Sequence, residues 1–295
     1  MGQPRAAANP YDIPLRAGFT QWVLLNGVMF QFETHYKHRV AEIERALKSQ
    51  RGPTRLLAAA SLLIEDPTFW PVDRWARPFP IGGHFKRGRR FLTALHESMA
   101  REAAWTVAQA FEAFETFLKD FSAVYLKRNP AQLSSLVWTK RRRKTASVKP
   151  RTRHLRDYRD FVRSEFRGAD DLAKRLRESV PGIALAEQKD VNVYLLDFVE
   201  WSAVVTEARH AVVHAGGVLS PAQLKRLGPA RIGLLRKHFP GRQTASGYRL
   251  TLGAEDARKA VQTFAAYALL MYKETSLREE LDSESFKRRG RIRLF

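Results

Sequence analysis

The sequence predicts an all-α protein, a helical bundle with a short β element near residues 248–252. Three observations carry that prediction. Long segments repeat apolar residues every three or four positions, the period of one helix face. Glycine and proline punctuate the ends of those segments. Only Tyr248-Arg249-Leu250-Thr251-Leu252 alternates convincingly as a strand.

In chain order, a lead punctuated by Pro4, Pro10, Pro14 and Gly18 gives way to a helix predicted from about Phe19 to Gln50, stopped by Arg51-Gly52-Pro53. Thr54 introduces a short apolar run to Ile64 that reads as a buried helix. Pro67 to Gly83 carries several prolines and aromatic residues and reads as a loop packed by its own rings. The longest helical signal begins at Arg89 and ends near Asn129-Pro130. Its apolar positions include Val107, Phe111, Phe114, Phe117, Leu118 and Phe121, with Glu and Lys between them. A further helix is predicted from about Ala131. Lys140-Arg141-Arg142-Arg143-Lys144 follows, a basic run with no apolar face until Leu155, and reads as a loop or arm. Val191–Val213 is predicted helical and ends at Gly216-Gly217. A polar stretch with Gly228, Pro240, Gly241 and Gly247 leads to the strand, and a last helix runs from about Ala254 to Glu279. The domain reading is an N-terminal helical and loop extension over 1–84, a helical domain over 85–282 with a basic insert at 140–167, and a basic tail over 283–295.

Composition narrows the function classes. The 295 residues hold 51 Lys and Arg against 30 Asp and Glu, a formal charge of +21, so polyanions are the first partners to consider. An arginine-rich but otherwise unremarkable soluble protein is the plain alternative. Zero cysteines exclude disulfide scaffolds, cysteine-ligated zinc, iron–sulfur sites and thiol nucleophiles. The apolar stretch from Phe19 to Phe30 is too short to span a bilayer and is interrupted by Gln21 and Asn26. No signal peptide follows Met1, so the expectation is a cytoplasmic protein with no membrane partner. No P-loop pattern is present.

The segment Glu207-Ala208-Arg209-His210-Ala211-Val212-Val213-His214-Ala215-Gly216-Gly217 holds the most chemistry. Arg209 and His214 share one helix, about 140° apart around its axis, and a long guanidinium can swing toward a ligand shared with the imidazole. The glycines place His214 in the last turn, where the negative end of the helix dipole attracts positive charge. A fixed cation beside an acid–base imidazole suits phosphodiester chemistry. The bland reading is a surface arginine and a histidine at a helix C-terminus, where both are common. His210 and His214, four apart, could also share a metal ion, but the sequence offers no third ligand and no Glu at position 211.

Arg209-His210-Ala211-Val212-Val213-His214 resembles the R-[polar]-x3-H motif of the HEPN superfamily, the higher eukaryotes and prokaryotes nucleotide-binding domains. The following Ala-Gly-Gly resembles the glycine-bearing turn that often trails it. Glu115 and Lys119 resemble the E-x3-K/R helix that recurs in the same superfamily, although the pair also reads as a plain i,i+4 ion pair. The resemblance covers about residues 88–280. It implies an up-and-down helical bundle that forms a homodimer with facing R-x4-H motifs. For many members it also implies metal-independent endoribonuclease activity in toxin–antitoxin or phage-defence systems, with an antitoxin or defence-system protein as a further partner.

Carried over by residue, His214 becomes the acid–base group and Arg209 the phosphate clamp. His210 takes the polar position, more often Asn or Asp, and Glu115 supports the site by pairing with Arg209 or Lys119. The position two beyond His214, a tyrosine modified by a partner nucleotidyltransferase in one toxin subgroup, is Gly216 here.

The expected function is therefore cleavage of RNA, with tRNA and mRNA as the candidate targets, by attack of its own 2′-OH, leaving a 2′,3′-cyclic phosphate, with no cofactor and no metal. The alternatives are a non-cleaving HEPN-like module that binds nucleic acid or nucleotide, and a purely structural helical protein. Lys119, Lys140, Arg141, Arg142, Arg143 and Lys144 are the expected RNA-backbone contacts. Trp138, Tyr158 and Phe161 interleave with the basic run and read either as base-stacking rings or as buried helix aromatics.

Overall fold

A computed structural model describes residues 9–48, 62–64, 79–81, 89–135, 138, 154–166, 168–188 and 196–288. The described chain is an all-α bundle with two small antiparallel sheets. The helices are α1 (Asp12–Lys48), α2 (Arg89–Arg128), α3 (Leu155–Glu165), α4 (Ala169–Ser179), α5 (Pro181–Gln188), α6 (Phe198–Ala215), α7 (Pro221–His238), α8 (Ala254–Arg278) and the single turn α9 (Ser285–Arg288). A 3-10 turn spans Pro130–Ser134. The strands are β1 (Leu62–Ile64), β2 (Phe79–Ile81), β3 (Val218–Leu219), β4 (Gly241–Thr244) and β5 (Gly247–Leu250). No described helix is long and apolar enough to cross a membrane.

The chain divides by contact into two compact units. One takes the described residues up to Phe30 and from Ala100 onward, and the other takes Gln31–Met99. This differs from the boundary read near residue 84, because the first turns of α1 are committed to the core of the larger unit. Trp22 is buried and its indole N–H donates to the Ala110 carbonyl of α2 at 3.1 Å. Tyr11 stacks on Phe121 at 4.6 Å between ring centroids and donates to Glu279 at 2.7 Å. Asn9 reaches Ser276 at 2.8 Å, and Tyr272 and Ser285 both donate to Asp12 at 2.8 Å. Burial, foremost, and the Asp12 carboxylate push the Tyr272 phenol up to about 12.

The core of this unit is aromatic. Phe111, Phe114, Phe117, Leu118 and Phe121 form the buried face of α2, as their three-and-four spacing predicts. Phe114 lies within 6.3 Å, ring centroid to centroid, of Trp22, Phe198, Phe264 and Tyr267, so α1, α2, α6 and α8 meet at one ring. Trp138, Tyr158 and Phe161 are buried as well. Trp138 donates to Ser179 at 2.7 Å and packs on Tyr125 and Phe166, so these rings serve the interior rather than a bound base.

In the smaller unit, β1 and β2 pair antiparallel, with Leu63 opposite Pro80. Leu62–Ile64 is thus a strand where a helix was expected, and Phe79–Ile81 a strand where a loop was expected. A two-stranded ribbon leaves each strand one free edge, where a proline costs no ladder bond. Tyr36 and His96 are hydrogen-bonded. The other residues of the expected 54–64 helix and 67–83 loop lie outside the described residues, as do the basic run 140–144 and the tail beyond Arg288.

Elsewhere the boundaries move for local reasons. The first helix begins at Asp12, seven residues before Phe19, because Pro14 stands in its first turn, where the missing N–H is harmless. The residues after Asn129 make a 3-10 turn rather than a longer helix. The polar stretch after Gly217 contains a full helix, α7, started by a capping box in which Ser220 and Gln223 serve each other's backbone amides at 2.9 and 3.3 Å. Gly228, at φ 74°, and Pro229 break its period. The predicted strand is β5, with β3 and β4 on either side.

Two outcomes test this packing. Trp22→Ala should destabilise the fold by about 3–5 kcal/mol in chemical denaturation, the cost of emptying a large buried site. Burial holds the Glu187 carboxyl of α5 above its ordinary 4.5, against the hydroxyl of Tyr267 and the charge of Arg177. The native state therefore keeps a proton that the unfolded chain has lost, and stability contributed by this group falls as pH rises from 4.5 through the raised value. Melting curves across that range should show Glu187→Gln gaining on the wild type with increasing pH.

Candidate functional site

Helix α6 carries the site, and both of its ends are fixed. Asp197 caps its start, accepting the Glu200 amide at 3.1 Å. Arg177 of α4 bridges Asp197 at 3.4 Å and the buried Glu187 at 3.1 Å. At the other end Gly216 and Gly217 take φ of 57° and 81°, and the amides of both point to the Ala211 carbonyl.

The rotation of α6 is fixed too. Phe198, Trp201, Val204, Val205, Ala208, Ala211 and Val212 are buried. Glu207 accepts from Gln223 and Arg226 of α7 at 3.1 Å, and about two turns earlier Glu200 accepts from Arg231 at 2.7 and 3.1 Å. Those contacts leave Arg209, His210 and His214 on what remains of the surface.

Arg209 and the imidazoles go separate ways. The guanidinium crosses to α2, where Nη2 and Nε donate to Glu112 Oε1 at 2.8 and 3.3 Å. His210 and His214 are exposed and face each other, with ring centroids 4.8 Å apart and planes tilted by 52°. Among the described residues neither imidazole makes a hydrogen bond or ion pair, and no contact joins either one to Arg209. The structure thus brings the two histidines together and keeps Arg209 about 140° around the helix from His214, the offset of five residues.

Glu115 is not the partner of Arg209. It pairs with Lys119 at 2.5 Å within α2, the local alternative of the two read from the sequence. The carboxylate that reaches Arg209 is Glu112, one turn earlier, which sequence reasoning missed. Glu112 and Glu115 are three apart on one helix, so a motif naming one brings the other within reach of the same neighbour. Glu112 also lines a groove of about 460 Å³ between α1 and α2, together with Gly18, Gln21, Thr116 and Asp120. Lys119 is tied to Glu115 and so is not a free cation. The remaining expected contacts, Lys140, Arg141, Arg142, Arg143 and Lys144, lie outside the described residues.

Chemically, two exposed imidazoles one turn apart can accept and donate protons on one bound group. They also present two nitrogen donors of the kind that zinc, copper or nickel prefer. Among the described residues no group of three or more His, Cys, Asp or Glu is placed to hold a metal ion. No protein-family model, no curated protein and no solved structure matches the chain.

Gly216→Ala should cost about 1 kcal/mol in denaturation, since nothing lies near the added methyl and the penalty is the left-handed backbone alone. A double-mutant cycle on Glu112→Ala and Arg209→Ala should return a coupling of about 0.2–1 kcal/mol, since the two side chains are 53% and 30% exposed.

Proposed function

We propose that the protein is a metal-independent endoribonuclease that uses the α6 histidines on RNA. The observation that carries this reading is the pair of exposed imidazoles, 4.8 Å apart and held by no other side chain among the described residues, toward the C-terminal end of α6. RNA brings its own nucleophile, so the protein need supply only a base, an acid and positive charge. His214 withdraws the proton of the 2′-OH as that oxygen attacks the adjacent phosphorus. A second imidazole, His210 of the same chain or His214 of a second copy, protonates the departing 5′-oxygen. The products are a 2′,3′-cyclic phosphate and a 5′-OH. Arg209, oriented by Glu112, is the fixed cation, and in a homodimer it serves the phosphate held by the partner's histidines. A role in toxin or phage-defence systems, with a cognate partner protein, belongs to the same reading and follows from the resemblance at 209–214.

The second reading is a module that binds nucleic acid without cleaving it. It is favoured by the engagement of Arg209 with Glu112, which draws the guanidinium away from His214 within one chain.

Purified protein incubated with mixed RNA in EDTA separates the two. The nuclease reading expects fragments with cyclic-phosphate ends. His214→Ala should slow cleavage about 10²–10⁴-fold, the usual yield of a positioned acid–base group, while RNA binding persists. Arg209→Ala should also reduce the rate. Binding with no cleavage by the wild type would establish the module.

A further inference from the structure

The three-stranded sheet that follows α6 holds a feature that neither reading uses. Its order is β3-β5-β4, and its register sets Arg242 of β4 directly opposite Arg249 of β5, with Val218 of β3 opposite Arg249 on the other side. Strand alternation turns Tyr248 and Leu250 into the protein, where both are buried, and leaves Arg249 and Arg242 exposed. Side chains directly opposite on one sheet face have Cβ atoms about 4.5–5.5 Å apart, close enough for like charges to repel and destabilise the pairing.

Nothing within the described chain relieves that repulsion. Neither arginine makes a side-chain hydrogen bond or an ion pair, whereas Arg177, Arg209, Arg226 and Arg231 of the same unit all meet carboxylates. Arg236 and Lys237, both exposed, close the last turn of α7, and Arg236 lies near enough to Tyr248 to act on its phenol electrostatically.

The platform beneath the pair is rigid. Tyr248 donates to the Phe239 carbonyl at 3.2 Å and lies so close to Gly241 that a Cβ there would fall 2.6 Å from the ring. Thr244 donates to the Gly247 carbonyl across the turn at 2.8 Å. The Leu250 amide donates to the Gly217 carbonyl at 2.9 Å, so the sheet hangs on the glycine turn that closes α6 three residues after His214.

We propose that Arg242 and Arg249 form a phosphate clamp that grips the backbone of single-stranded RNA beside the His214 end of α6. The guanidinium fork matches phosphate oxygens two at a time, and a bound phosphate turns the repulsion of the pair into shared attraction. The choice of RNA as the polyanion rests on the nuclease reading, while the clamp itself rests on the sheet.

The test uses the full chain and a fluorescent, 2′-O-methylated RNA 20-mer, which cannot be cleaved by this chemistry, with anisotropy measured across a salt series. Each phosphate contact to a single strand contributes about 0.7 to the slope of log K against log salt. Arg242→Gln/Arg249→Gln should therefore lower the slope by about 1.4 and weaken binding about tenfold at moderate salt. Lys37→Gln/Lys259→Gln, an equal change in net charge at exposed sites elsewhere, should change the slope by much less. Arg242→Lys/Arg249→Lys should keep the slope and lose part of the affinity, because charge remains and the fork does not. The glutamine pair should melt at or above the wild-type temperature, since a repulsion has been removed.

An unchanged slope, an equal loss in the lysine control, or a lower melting temperature in the glutamine pair would overturn the clamp. A DNA 20-mer should show the same clamp dependence, since both guanidiniums read phosphate oxygens that DNA shares; clamp dependence confined to RNA would overturn the phosphate-only grip. Cleavage of unmodified RNA is scored separately, so a clamp confirmed in a protein that never cleaves, or refuted in one that does, parts this proposal from the nuclease reading.

Discussion

The ring of Phe114 is the point on which the larger unit depends. It sits on the buried face of α2 and packs against aromatic side chains of α1, α6 and α8. Offset and edge-on ring contacts are directional, so each of those helices is fixed in rotation as well as in distance. Phe198 stacks on Tyr267 at 3.5 Å beside it, which seats the first turn of α6 against the middle of α8. A core made only of branched aliphatics would bury similar area with less control over helix rotation.

That control matters for α6, which has little surface to spare. Its apolar side enters the core, the side bearing Glu200 and Glu207 is held by α7, and Arg209 is held by α2. The two histidines occupy what is left. Their exposure follows from the other faces being taken. The same geometry sets Arg209 and His214 on different flanks of the helix, so a phosphate that touches both is best served by two copies of the chain or by a guanidinium that leaves Glu112.

Much of the helical skeleton is legible in the sequence because it rests on periodicity. The α2 and α8 segments carry long three-and-four patterns with clean ends, and the Gly216-Gly217 stop is written in the residue type that a left-handed cap requires. Helix α7 is hidden by Gly228 and Pro229, although Ser220-Pro221 with Gln223 is a start signal in its own right. Strands β3 and β4 are short, and β4 alternates little, so pairing with β5 defines them. At the site, the residue types at 209–214 and the local pairing of Glu115 with Lys119 are readable at fixed spacing. Glu112 as the partner of Arg209 is not, because ninety-seven residues separate the two and only packing selects between Glu112 and Glu115.

The break at Gly228-Pro229 decides how α7 is held. Proline brings no amide to the helix and the glycine leaves helical geometry, so the helix is kinked there and lacks the bond Pro229 cannot donate. Each half is tied separately to α6, the first through Gln223 and Arg226 on Glu207, the second through Arg231 on Glu200. The helix is two short struts sharing a joint, not one beam. The second strut leads directly into the β4–β5 hairpin, and because Arg231 and the Leu250–Gly217 bond both reach back to α6, the hairpin is anchored to the helix that bears the histidines without relying on the first strut.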